Sequence, residues 1–244
     1  MKDYLLDIVN HTVPVGSDVF QQLKIIGDDG STEFQSSDQN KRVILKAKAK
    51  NEISEFQGTF GIPNLNLLNS ILKIPEYEES PNIQLVKETK NGVEVPSEIH
   101  FKSKNGDFEN RFRLLSAAVI NSKEKELSMK VNDWPIKFEP TVANYQRLSH
   151  QATANPEEIA VEFHVHNGTI EAKLGDEGNH NGKFMFQSGV DESMNFKIYI
   201  PVQILLNLLK LNGDKTIFIN KLAMMVRVDS NMIEYDYIMP SLSK

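Results

Sequence analysis

Lys73, Arg147 and Lys210 are the side chains of this 244-residue sequence whose placement points most directly to chemistry. Each stands in a stretch of helical spacing that contains neither Asp nor Glu. Cations held apart from carboxylates on a helix attract phosphate through charge and read no base edges. His150, three residues after Arg147, shares its helical face as a weaker, titratable member. Over residues 63–73, 141–154 and 201–211 together, about five acidic residues would be expected from the 33 in the whole chain, and there are none. Lys and Arg are not enriched there, so the signal is absence of acid in a chain of net charge −6. Polar residues form stripes along the three helices: Asn66, Asn69, Ser70 and Lys73; Asn144, Arg147 and Gln151; Gln203, Asn207 and Lys210. The plainer alternative is three ordinary half-buried helices.

Other candidate chemistry is thinner. His164 and His166 share one face of a strand, with Asp176 and His180 in a nearby loop, as a metal pair could; a half-exposed strand with two histidines is the commoner arrangement. The carboxylates at 28–29, 76–79, 157–158 and 176–177 sit in turn-rich sequence without a calcium-loop signature and read as solvated loops. No phosphate loop, dinucleotide fingerprint or nucleophile elbow occurs, and with no cysteine there is neither thiolate chemistry nor a disulfide framework. No cofactor, metal or enzymatic activity is expected. The net charge of −6 excludes a protein that coats nucleic acid over its whole surface. The sequence begins without a signal-peptide pattern, and no window reaches the roughly eighteen apolar residues of a membrane span, so a soluble cytoplasmic protein with no membrane partner is expected.

The elements that must position these residues come twice. Ile62 and Pro63 open a leucine-rich segment to Lys73, and Ile200 and Pro201 open another to Lys210, each after an apolar strand. Both prolines are expected at the first helical position, where a missing N–H costs nothing. A first helix is expected before Pro14, then strands at 19–26, 31–35, 42–50 and 53–62, the Pro63 helix, and strands at 82–88, 98–102 and 108–115. Asn91 with Gly92 and Asn105 with Gly106 read as hairpin turns. After a polar, charged connector at 121–135, the order repeats: a helix at 141–154, strands at 159–165, 169–174, 183–187 and 194–200, the Pro201 helix, and strands at 216–219, 223–229 and 233–239. Each half thus runs helix, four strands, helix, three strands. The reading is an α+β protein of two similar domains, 1–120 and 136–244, joined by 121–135.

This order, the run from Phe56 to Pro63 into the leucine helix, and the closing segment from Ile233 to Pro240 resemble the DNA polymerase sliding clamps, most closely the trimeric processivity clamps of tailed bacteriophages. The resemblance covers the full chain and implies the DNA clamp fold, in which each domain packs two helices on antiparallel sheets and three copies close a ring. It implies duplex DNA, bound without sequence preference, as a partner, together with a DNA polymerase and an ATP-driven clamp loader. It places Lys73, Arg147, His150 and Lys210 toward DNA. It joins edge strands of neighbouring copies through segments matching 108–115 and 183–187, which carry Phe108, Phe112, Phe184 and Phe186; filling of cores within each domain is the alternative use of these rings. A strand-rich structural protein of a phage virion or tail is the alternative function.

Overall fold

The computed structural model describes residues 1–90, 92–125, 133–176, 178 and 180–243. In chain order the elements are α1 (Lys2–Thr12), β1 (Gln22–Asp28), β2 (Ser31–Ser37), β3 (Ile44–Ala49), β4 (Gly58–Pro63), α2 (Leu65–Leu72), β5 (Asn82–Lys90), β6 (Val93–Lys102), β7 (Glu109–Arg113), β8 (Leu115–Ser116) and α3 (Ala117–Lys123). They continue with β9 (Ile136–Phe138), α4 (Val142–Ala154), β10 (Ala160–His166), β11 (Thr169–Gly175), β12 (Asn181–Ser188), β13 (Phe196–Pro201), α5 (Val202–Lys210), β14 (Asp214–Ile219), β15 (Ala223–Asp229) and β16 (Ile233–Pro240).

The chain divides into two compact units. The first comprises Met1–Gln39, Ile44–Ser128 and Asp229–Tyr235, the second Asn40–Val43, Met129–Val228 and Asp236–Lys244. In unit 1, strands run side by side in the order β8-β4-β1-β2-β3, a second sheet has the order β5-β6-β7, and α1 packs on α2. In unit 2, which takes β16 from Asp236 onward, the orders are β16-β15-β14-β9 and β12-β11-β10-β13, and α4 packs on α5. The pairs β1–β2, β1–β4, β2–β3, β4–β8, β5–β6 and β6–β7 of unit 1 and β9–β14, β10–β11, β10–β13 and β11–β12 of unit 2 are antiparallel.

Alternation in sequence explains the layering. Along β10, Val161, Phe163 and Val165 are fully buried while Glu162, His164 and His166 face outward, the pattern of a sheet with one covered face. In unit 1 the equivalent core gathers Leu23, Ile25, Phe34, Phe56 and Phe60 against Leu5, Ile8, Leu65 and Leu68 of the helices. Each such side chain contributes about 1.5–3 kcal/mol by burial.

Both prolines depart from expectation. Pro63 is the last residue of β4, opposite Gln22, and Pro201 the last of β13, opposite Ala160. Pro201 itself caps α5, whereas one further residue, Asn64, intervenes before α2. Asn64 adopts the left-handed conformation (φ 46°, ψ 68°), and its side chain accepts a hydrogen bond from Leu67 N at 3.1 Å. Asparagine tolerates this region because its short polar side chain bonds locally.

Other boundaries shift. The strand expected from residue 53 begins at Gly58, β6 begins at Val93 rather than 98, and the segment 108–115 divides between β7 and β8, which lie in different sheets. Leu114 N donates to Ser97 O at 2.9 Å where the chain crosses between them. The short helix α3 and strand β9 flank the expected connector, α3 running three residues into it. Residues 126–132 of that connector, and Asn91 of the first hairpin turn, lie outside the described residues. Gly106 sits at φ +75° in the turn between β6 and β7, where its N–H donates to Ser103 O at 3.0 Å.

Candidate nucleic-acid interface

On α2 the residues turned from the core are Asn66, Leu67, Asn69, Ser70 and, as C-cap, Lys73. Leu65, Leu68, Ile71 and Leu72 are buried on the other side. Ser70 Oγ donates to Asn66 O at 3.0 Å, and Asn66 Nδ2 donates to Ser17 O at 3.2 Å, so part of the stripe is tied to the helix itself and to the loop between α1 and β1. Lys73 remains exposed at the C-terminal end, where its charge complements the helix dipole.

On α4 the free face consists of Ala143, Gln146, Arg147, His150, Thr153 and Ala154. Arg147 and His150 are therefore where the sequence places them. Asn144 and Gln151 are not. Asn144 is buried: its Oδ1 accepts from Thr141 N at 2.6 Å, Thr141 Oγ1 accepts from Asn144 N at 3.2 Å, and its Nδ2 donates to Phe186 O of β12. This capping box faces Asn144 toward the sheet. Gln151 turns the same way, occupying the space that a side chain at Gly182 of β12 would need; a Cβ there would stand 1.7 Å from Gln151 Oε1.

On α5, Gln203 and Lys210 are exposed and Asn207 half-buried, with Gln203 Nε2 donating to Asn207 Oδ1 at 2.9 Å. The Lys210 ammonium lies 5.8 Å from the centre of the Tyr145 ring on α4, within cation–π range. Unit 2 thus brings Lys210 to the helix pair that carries Arg147 and His150, while Lys73 belongs to unit 1. The place of Tyr145 under Lys210 depends on a neighbour 65 positions away in the chain.

Counting from the helix starts resolves an apparent mismatch between the repeats. With Ile62 and Pro63 set against Ile200 and Pro201, the two polar stripes run one residue out of step. With Leu65 set against Val202, Asn66 matches Gln203, Ser70 matches Asn207 and Lys73 matches Lys210, while the buried Leu65, Leu68 and Ile71 match Val202, Leu205 and Leu208. The single left-handed residue Asn64 is the difference.

The two acidic residues of α1, Asp3 and Asp7, differ in surroundings. Asp3 is exposed, but the carboxylate of Asp7 accepts from Ser230 Oγ and Tyr235 OH, each at 2.8 Å, within unit 1.

The four phenylalanines expected at strand edges divide by environment. Phe112 on β7 is 3% exposed opposite Ile99, and Phe186 on β12 is 2% exposed against Phe163 and Phe138. Phe184 is half-buried, and Phe108, 39% exposed, lies edge-on to Tyr77. Among the described residues, β7 and β12 are the outermost strands of their sheets.

His164 and His166 have ring centres 4.2 Å apart on the outward face of β10, and no group of three or more His, Cys, Asp or Glu side chains among the described residues is arranged to hold a metal. No described helix is long and apolar enough to cross a membrane. Beside the C-terminal residues Leu242 and Ser243, unit 2 has a cavity of about 270 Å³ bordered by Ile159, Glu162, Lys173 and Tyr199. Glu162 accepts from Tyr199 OH at 3.0 Å and from Lys197 at 2.7 Å, while Ile159 and nearby Leu222 are exposed.

No protein-family model matches the sequence, and no curated protein sequence matches it. Solved structures do match in shape. An Archaeoglobus fulgidus PCNA, bound to the C-terminal region of FEN-1, superposes with a TM-score of 0.66 at 15% identity, covering 100% of this chain and 97% of that one. A PCNA from Thermococcus kodakaraensis gives 0.65 at 12% identity, with coverage of 97% and 96%. The Helicobacter pylori β clamp gives 0.66 at 12% identity, covering all of this chain and 62% of that one. The chain has the sliding-clamp fold, an α+β architecture of helices on antiparallel sheets.

Proposed function

We propose that this chain is a sliding clamp of the trimeric, phage-type class: three copies close around duplex DNA and hold a replicative polymerase on its template by confinement. Residues 1–120 and 136–244 are its two clamp domains. The observation that carries the reading is the carboxylate-free outer face of α2, α4 and α5 in a chain of net charge −6, on the fold of the sliding clamps. Lys73, Arg147, His150 and Lys210 make weak, screened contacts to phosphate, which hold no base sequence and permit sliding. The role requires no bond to be made or broken, and no cofactor.

Ring closure joins β7 of one copy to β12 of the next, because unpaired strand edges are templates for pairing. A closed ring needs a loader to open it. The A. fulgidus neighbour holds the C-terminal region of a partner protein. Here the cavity beside Leu242, with Ile159 and Leu222 exposed, is the place we assign to such peptide tails of polymerase and loader. The protein would act in the cytoplasm of the cell whose DNA is copied, an infected bacterium for a phage clamp.

The test is Lys73→Glu, Arg147→Glu and Lys210→Glu together. All three side chains are exposed, so trimer and melting temperature should hold while loader-dependent processivity falls, more at low salt than at high. Normal processivity at low salt, or collapse of the trimer, would refute the DNA-facing assignment.

A further inference from the structure

The C-terminal end of α3 is held to unit 1 by two side chains of different character. Ile120, fully buried, enters the notch left by Gly61 of β4, where a Cβ would stand 2.8 Å from the Ile120 side chain. Four residues later Glu124 closes the helix, its N–H donating to Ile120 O at 2.7 Å. The Glu124 side chain then turns inward and is only 6% exposed. Its Oε1 accepts from Gln22 Nε2 of β1 at 3.0 Å, and its Oε2 accepts from Ser37 Oγ of β2 at 2.8 Å. Both donors are neutral. The charged groups around it are Lys24 of β1, acting through its field, and Lys46 of β3 and Lys125, which line the narrow cleft beside the carboxylate with Gln35 and Ser36.

We propose that Glu124 is a proton-sensitive latch that fastens α3, and with it the point where the chain leaves the first half, to strands β1 and β2. A buried carboxylate whose donors are neutral carries the cost of a buried charge, and protonation removes that cost. Burial raises the Glu124 carboxyl above the ordinary 4.5, outweighing the opposing hydrogen bonds from Gln22 and Ser37 and the field of Lys24. The folded protein therefore holds this proton more firmly than the unfolded chain does. The contribution of the latch is complete below about 4.5 and declines as pH rises through the folded value. The device belongs to unit 1 and does not rest on ring formation.

Amide hydrogen exchange on the full chain, without DNA or partners, tests the proposal when rates at Val119 to Glu124 are corrected for intrinsic base catalysis between about pH 5 and 8. Wild-type protection of α3 should fall as pH rises, in step with a carboxyl titration of Glu124 followed by NMR. Glu124→Gln, which stays neutral, should keep its protection across the range. Glu124→Ala should lose about tenfold or more at low pH, the effect of removing two buried hydrogen bonds. Wild-type protection that is flat with pH and equal to that of Glu124→Gln would overturn the proton sensitivity. Unchanged protection in Glu124→Ala would overturn the latch itself. Both outcomes leave the clamp reading untouched, since neither measurement involves DNA.

Discussion

The carboxylate of Asp7 shows how a single residue can contradict the electrostatics of its helix without acting on them. It accepts from Ser230 Oγ and Tyr235 OH, and its Oδ1 lies 3.3 Å from His11 Nδ1, while the His11 ring stacks on Tyr235 at 4.7 Å. The charge is spent inside unit 1, fastening α1 to the turn of the last hairpin. Asp7→Ala removes two hydrogen bonds to a charged acceptor and leaves the hydroxyl of buried Tyr235 without that partner, which should cost about 2–3 kcal/mol in denaturant unfolding. A loss below about 0.5 kcal/mol would show that solvent replaces the network. Asn144 teaches the opposite lesson. A polar residue three places from an exposed Arg147 reads as part of a solvent stripe, yet its amide is occupied by the helix cap and by a β12 carbonyl 42 residues away.

At the scale of elements, the repeat was legible because its signal is local: an apolar strand, a proline and a leucine-rich helix recur in both halves. The exact match of the copies was not, since it turns on the backbone conformation of one residue. Asn64 offers both a cap and tolerance of the left-handed region, so its substitutions should separate the two effects. Asn64→Gly keeps the conformation and loses the cap, a change of a few tenths of a kcal/mol. Asn64→Ala loses both and should cost about 2 kcal/mol, read as a lower melting temperature in thermal unfolding. Equal stability of the Gly and Ala variants would mean that the left-handed geometry is not maintained in solution. The segment at 108–115 divides between two sheets for a comparable reason, its strand character being local and its partners, Ile99 opposite Phe112 and Gly61 opposite Leu115, lying in different sheets.

At the scale of the whole molecule, the ring reading predicts a discrete species of about 83 kDa, three times the 27.7 kDa chain, in sedimentation at micromolar concentration. The burial of Phe112 and Phe186 bears on how closure is tested. Their replacement by Asp would unfold the unit that each one fills, at about 3 kcal/mol or more, and would say nothing of assembly. Phe108 and Met185, 39% and 54% exposed, are the better probes. Phe108→Asp combined with Met185→Asp should leave circular dichroism and melting of the separated chain nearly unchanged while dissociating the trimer. Persistence of a trimer would place closure elsewhere than β7 and β12.

The amino-acid sequence by itself determined most of the element order, though not the short α3, β8 and β9, together with the recurrence of strand, proline and leucine-rich helix and the exposure of Lys73, Arg147, His150 and Lys210. These follow from periodicity, from turn residues and from the absence of carboxylates, all of which act over a few residues. Tertiary structure alone decided that Asn144 and Gln151 face β12, that Asp7 is consumed by Ser230 and Tyr235, that Lys210 lies over Tyr145, and that Glu124 is buried between β1 and β2. Each depends on a partner distant in the chain. A polar side chain spaced for solvent turns inward when folding brings a hydrogen-bond partner within reach, because the partner offsets the cost of leaving water, and no local pattern encodes where that partner will be.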